Sequence, residues 1–225
     1  MKLKSLYTGA LALAVLCLTS CSDWFDVSPK TNIKAEELYE TPEGFESALA
    51  GIYILLTDDD CYGHDMSFGL IDQLAQLYDR IPDGTTDREA IYQYTQESQG
   101  YSTKARMAAI WEKSYNVIAN TNNFMKWLNK NGQRVLRNEQ TRNMYYGEAY
   151  AMRAFLHFDL LRAWGPMDYQ AGKQNLSIPY RVVADNTKQP RLAAETVVGK
   201  IIDDLKQAEQ YLAFEKNTSL SGNER

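Results

Sequence analysis

Residues 138–164 read NEQTRNMYYGEAYAMRAFLHFDLLRAW. In this stretch Tyr145, Ala149, Met152, Leu156, Leu160 and Ala163 follow one another at intervals of 4, 3, 4, 4 and 3. Side chains at that spacing share one face of an α-helix, so the stretch predicts a helix with one apolar seam. Gly165-Pro166 ends it, because neither residue continues a helix well. Upstream, a helix over about 103–130 presents Met107, Trp111, Tyr115, Ile118, Asn122 and Met125, and Asn131-Gly132 predicts its stop. Two long amphipathic helices joined by a short link pack as an antiparallel pair.

The same pattern extends in both directions. Thr41-Pro42-Glu43 is a helix start: a capping hydroxyl, a proline at the first helical position and an acid in the first turn. Phe45, Leu49, Ile52, Tyr53 and Leu56 then carry the seam to about residue 57, and a shorter helix is expected near Met66–Tyr78, with Leu70, Leu74 and Leu77 on one face. Residues 79–102 hold Pro82-Asp83-Gly84 and little periodicity, which predicts a long irregular segment; such segments in compact domains are often functional. A second connection spans 165–192, with a short strand expected at Ile178–Val183. A last helix over 193–213 presents Val197, Ile201, Leu205, Ala208 and Leu212. No strand–helix–strand pattern occurs. The fold class is all-α, made of antiparallel helix pairs with long irregular loops.

Composition removes several functions. The chain has 225 residues, 44% hydrophobic and 24% charged, with 13 Gly and 6 Pro, which excludes collagen, low-complexity disorder and a polytopic membrane protein. Lys and Arg number 24 against 29 Asp and Glu; without the first twenty residues the counts are 22 and 29. Phosphate neutralisation needs clustered cations, so nucleic acid is not an expected partner.

Lys2 and Lys4 form a short positive region, and Tyr7–Leu18 is apolar and uncharged. Twelve helical residues rise about 18 Å, too little for a bilayer core of roughly 30 Å, so residues 1–20 read as a cleaved signal peptide. Leu18-Thr19-Ser20-Cys21 resembles the lipobox of bacterial lipoproteins, which implies acylation of Cys21 as the mature N-terminus and membrane anchor. Residues 21–40 then read as a lipid-anchored tether or arm. With Cys17 removed and Cys21 acylated, Cys61 stands alone, half-buried, and neither an intramolecular disulfide nor a zinc cluster is expected.

Three stretches together resemble the SusD/RagB family of nutrient-binding outer-membrane lipoproteins. They are Asp26-Val27 with Pro29, Thr41 and Phe45–Tyr53; Trp111, Tyr115, Ile118 and Asn122; and Gly147-Glu148-Ala149, Arg153-Ala154, Phe158, Leu160 and Trp164-Gly165-Pro166. Asp204-Leu205 and Ala208 also fit. The resemblance implies tetratricopeptide-like helix pairs and a cell-surface lipoprotein that acts with a TonB-dependent SusC-like transporter to take up a glycan or other nutrient. Family chains are longer, so residues 41–225 are expected to be a truncated N-terminal helical domain. Met167-Asp168 stands where the family usually writes a Val-Pro-like pair.

Local chemistry adds little to that. Asp58-Asp59-Asp60 with Gly63 begins like a calcium loop, but Tyr62 and Gly69 hold the fifth and twelfth positions, so a solvated acidic turn is expected. Asp203 and Asp204 are adjacent on a helix and point about 100° apart, so they cannot share one substrate atom. His157 lies mid-helix beside Phe155 and Phe158, as a packing residue does; Arg153 and Glu148 are expected to tie helices together. No motif calls for a cofactor or a nucleophile. The chain has 15 tyrosines, and Tyr92, Tyr94 and Tyr101 sit among Gln93, Gln96 and Gln99 in the irregular segment. Aromatic rings stack on sugar C–H faces while amides take hydroxyls, so these three are the candidate ligand residues; packing of the loop on the helices is the plainer alternative. The rival functions are a helical interaction module that docks on the transporter without ligand and, more weakly, a carbohydrate-active enzyme.

Overall fold

Thr41 opens the first long helix as its sequence predicts. Its extended backbone (φ −128°, ψ 153°) leaves the hydroxyl oxygen to accept from the Gly44 N–H at 3.1 Å, satisfying one of the orphan donors of a helix start. The computed structural model describes residues 34–78, 91 and 103–213. The chain divides into two units, Met1–Glu37 and Leu38–Arg225. Of the first, residues 34–37 are described, the opening of a four-residue helix α1 (Ala35–Leu38); the rest concerns the second. Its elements are α2 (Pro42–Leu56), α3 (Leu70–Leu74), α4 (Thr103–Val135), α5 (Glu139–Trp164), α6 (Tyr169–Gly172) and α7 (Ala194–Tyr211). Among the described residues no strand forms; Leu176 and Ala193 make one isolated antiparallel bridge.

Contacts between helices give their directions. Along α4 and α5, Phe124 meets Tyr145 (5.7 Å), Thr121 meets Met152, and Trp111 meets Trp164 (5.1 Å), so numbers fall on one helix as they rise on the other. The pair is antiparallel. Phe45–Phe124 and Asp58–Lys113 set α2 antiparallel to α4, and Tyr146–Tyr211 with Arg153–Asp204 set α7 antiparallel to α5. Tyr53 Oη donates to Glu148 (2.8 Å) and Tyr62 Oη to Asp159 (2.7 Å), which runs α2 parallel to α5 in the groove beside α4. This is the stacking of a tetratricopeptide-like array. Gly147 is required where α5 meets the end of α7: a Cβ there would lie 2.4 Å from Leu212 Cγ.

Two groups of buried side chains stand out among the described residues. Tyr39, Phe45, Phe124, Trp127 and Tyr145 are buried together, mostly edge to face; each such ring contributes about 1.5–3 kcal/mol on burial. Met66, Leu70, Ile91 and Ile110 form the second, with Met107 and Trp164 packed against it.

Several expectations are corrected. α4 runs through Asn131-Gly132 to Val135, because the buried Asn131 amide donates to the Tyr39 carbonyl (3.1 Å) instead of ending the helix. The helix expected at 66–78 shrinks to Leu70–Leu74. Residues 61–69 are wound into turns by bonds such as Gly63 N–H to Asp58 O and Met66 N–H to Cys61 O, and Gln76 adopts a left-handed φ of 56°; Leu77 is left 69% exposed. Cys61 is fully buried, not half-buried, and burial pushes its thiol up to about 11. Tyr53 leaves the buried seam of α2 to reach Glu148. In α7, Leu205 is 48% exposed while Asp204 is buried, because Asp204 turns inward to meet Arg153. Ile178–Val183 forms no strand: the Ile178 carbonyl accepts from the Leu192 N–H, and side chains of the helices hold Pro179 and Arg181.

Candidate functional site

The first three turns of α4 place Lys104, Ala108, Trp111, Glu112 and Tyr115 along one flank. The end of α5 brings Ala163 and Trp164 opposite them, and Thr103 and Met107 complete a groove of about 830 Å³. Trp111 and Trp164 stand 5.1 Å apart at 73°, so their rings form a corner. Tyr115 lies 4.8 Å beyond Trp111. Lys104 and Glu112 are exposed at the rim, and the buried Thr103 hydroxyl has no hydrogen-bond partner among the described residues. Two aromatic faces, an ammonium and a carboxylate match what a carbohydrate offers: apolar C–H faces and hydroxyls.

The corner is fixed from behind. Trp164 packs on the Met66–Ile110 cluster, and Tyr115 Oη donates to the Pro179 carbonyl at 2.7 Å. From Tyr115 the rings pass inward to His157 (6.1 Å) and then to Tyr180, stacked on His157 at 3.8 Å. Arg153 holds this interior together. Its Nε and Nη2 grip Asp204 at 2.7 Å each, and its Nη1 donates to Asn122 Oδ1 at 3.0 Å. Tyr180 Oη also donates to Asp204 (2.5 Å), and the Asn122 amide donates to the Arg181 carbonyl (3.1 Å). The Arg181 N–H donates to His157 Nε2 (3.0 Å), which leaves Nδ1 as the donor to the Arg153 carbonyl (2.8 Å). His157 is therefore neutral.

Burial sets the electrostatics. Desolvation lowers the His157 pKa to about 4 and drives the hydroxyls of Tyr115 and Tyr180 well above the phenolic range. For Arg153, burial works against the charge and the hydrogen-bonded Asp204 carboxylate more than restores it. Near the start of α4, Asp65 accepts from both Arg106 and His64; burial raises its carboxyl, and those donors outweigh burial and leave it below the usual value.

Cys21, Tyr92, Tyr94 and Tyr101 lie outside the described residues, and Tyr101 is two positions before Thr103 in the sequence. His157 and Arg153 are in the interior, tying helices together as their mid-helix positions suggest, and Glu148 joins α5 to α2. Asp58 in the acidic turn pairs with Lys113 at 2.7 Å. The tryptophan corner is absent from the sequence-level candidates. Its signal was a tryptophan at the last position of a helix, against Gly-Pro, where part of the indole stays open to solvent.

This all-α array of antiparallel helix pairs is a SusD/RagB-like fold. The chain belongs to the SusD-like family described as starch-binding and associating with the outer membrane, which it matches over residues 23–221. It is 25% identical over 213 residues to SusD-like protein P38 of Formosa agariphila, covering 91% of this chain and 37% of the relative. A SusD superfamily protein of Bacteroides thetaiotaomicron superposes with a TM-score of 0.61 at 23% identity, over 76% of this chain and 37% of that one. NanU of B. fragilis superposes at 0.56 with 26% identity, over 82% and 34%. The chain thus spans about a third of the length of these relatives.

Proposed function

We propose that this chain belongs to a non-catalytic lipoprotein, anchored through Cys21 at the outer-membrane surface. It holds a glycan or other nutrient for a TonB-dependent SusC-like transporter. The observation that supports this reading most is the open corner of Trp111 and Trp164, in a chain whose family is described as starch-binding. A sugar ring set against one indole would present its edge hydroxyls to Lys104 or Glu112. Tyr92, Tyr94 and Tyr101 would supply further stacking from the segment that precedes α4.

Affinity electrophoresis through gels containing starch or other polysaccharides tests it. Migration should be retarded, and Trp111→Ala should abolish the retardation while the circular dichroism spectrum is unchanged. Equal retardation of wild type and Trp111→Ala would remove the corner as the site. Release of reducing sugar by the purified protein would overturn the non-catalytic reading. A second reading, docking on the transporter without ligand, is favoured by one observation. Phe155 and Phe158 on α5 and Ile202 and Leu205 on α7 are each 44–49% exposed, apolar surface that a docked partner would cover.

A further inference from the structure

His157 is fully buried, and both of its ring nitrogens are spent on backbone groups. Nδ1 donates to the Arg153 carbonyl at 2.8 Å, and Nε2 accepts from the Arg181 N–H at 3.0 Å. An imidazole accepts in this way only while it is neutral. Two residues before Arg181, the Pro179 carbonyl accepts from Tyr115 Oη at 2.7 Å. Tyr115 lines the groove, and its ring stands 4.8 Å from that of Trp111. Pro179, Tyr180 and Arg181 are thus a short strap, with one end on the wall of the groove and the other on the buried imidazole.

The strap has little slack. Proline fixes its own φ. Tyr180 is stacked on His157 at 3.8 Å and donates its hydroxyl to Asp204. A shift at Arg181 is therefore passed on to Pro179. The Asn122 amide holds the Arg181 carbonyl, so losing the imidazole loosens the strap without detaching it.

The groups that face His157 are Tyr115 from α4 (6.1 Å), Tyr180 and Arg181 from the strap, Arg153 one turn back on α5, and Asp204 from α7. Lys200 of α7 lies behind, 5.9 Å from the Tyr180 ring. Arg153 disfavours a second cation beside it, and Asp204, which favours one, is already bonded to Arg153 and Tyr180. Desolvation is the largest effect, and together these lower the His157 pKa to about 4.

We propose that His157 is a positioning residue of the groove: as a neutral acceptor it holds the Pro179–Arg181 strap and, through it, the Tyr115 side of the wall, and a proton on Nε2 loosens both. Once Nε2 carries that proton, two N–H groups face each other where one donated before, and the Arg181 amide has to turn away. At neutral pH the strap has no such exit. The use of this coupling in releasing a ligand rests on the binding reading above; the coupling itself does not.

The test labels the full chain with fluorotyrosine and follows it by fluorine NMR, with Tyr115 assigned by Tyr115→Phe. Tyr39, in the buried cluster at the other end of α4, serves as reference and is assigned by Tyr39→Phe. As the pH falls from neutral through about 4, the wild-type Tyr115 resonance should shift and broaden while Tyr39 stays in place. His157→Leu has no acceptor and should show the displaced Tyr115 signal at neutral pH already. His157→Gln, whose amide oxygen can accept from Arg181, should keep the neutral position throughout. Tyr115 and Tyr39 moving together would make the acid transition global unfolding. A Tyr115 signal unmoved by acid and in folded His157→Leu would leave the groove independent of His157. An acid shift that survives in His157→Gln would belong to carboxylates. Each of these overturns the proposal, and if His157→Leu does not fold by circular dichroism, the wild-type titration and His157→Gln decide alone. Polysaccharide retardation should weaken in His157→Leu and return in His157→Gln; coupling with no retardation in any variant would sink the binding reading only.

Discussion

Both ends of α4 carry aromatic clusters, and the two ends behave differently. At the C-terminal end, Tyr39, Phe45, Phe124, Trp127 and Tyr145 are enclosed by α2 and α5. At the N-terminal end, Trp111, Tyr115 and Trp164 share a wall with a groove and keep part of their surface open. The residue types and the helical spacing are alike. What differs is the cover: α2 crosses one end and stops before the other. An aromatic seam therefore becomes core or binding surface according to which neighbour reaches it, and only the sealed end should matter greatly to stability.

The sharpest way to break that comparison is a pair of truncations. Phe124→Ala, in the sealed cluster, should lower unfolding free energy by about 3–5 kcal/mol, whereas Trp111→Ala should cost clearly less and abolish polysaccharide retardation. Equal losses in denaturant melts would mean that the corner is as structural as the core. Arg153→Ala, which strands the buried Asp204 carboxylate, should also cost about 3–5 kcal/mol. Arg153→Met with Asp204→Leu should recover much of it, since no lone charge then stays buried.

The dependence on pH comes next. His157 has a folded pKa of about 4 against an ordinary value of 6.5, so the unfolded chain takes up a proton at higher pH than the native one. Its contribution is complete above about pH 6.5 and is lost as pH falls toward 4, by up to about 3 kcal/mol. His157→Gln should flatten this part of a pH–stability profile; an unchanged slope would assign the acid sensitivity to carboxylates. The smallest effect is Thr41→Ala, at about 1 kcal/mol in thermal melts, from the lost cap of α2.

The comparison also separates what the sequence made legible from what it hid. α2, α4, α5 and α7 were readable because apolar side chains recur at helical spacing over many turns, a signal that tertiary contacts seldom overrule at such length. Asn131-Gly132 misled because the same residue pair that ends helices can also donate from within one, and the acceptor, the Tyr39 carbonyl, is 92 positions away. The inward turn of Asp204 was hidden for the same reason: its partner Arg153 is 51 positions distant, and nothing local marks an inward carboxylate. The groove was half legible. Trp111 and Tyr115 were recognised as a seam, yet a seam is silent on whether its far side is covered.

Ile178–Arg181 has no regular secondary structure, yet its carbonyls and amide are bonded to Tyr115, Asn122 and His157, all on the long helices. Hydrogen exchange should therefore separate this connection from ordinary loops. The Arg181 amide, sealed against a buried imidazole, can exchange only when α4, α5 and α7 come apart together. Its protection should track the interior of α5 and not its neighbours at Val182 and Val183. In kinetic terms the loop belongs to the same cooperative unit as the helices it joins.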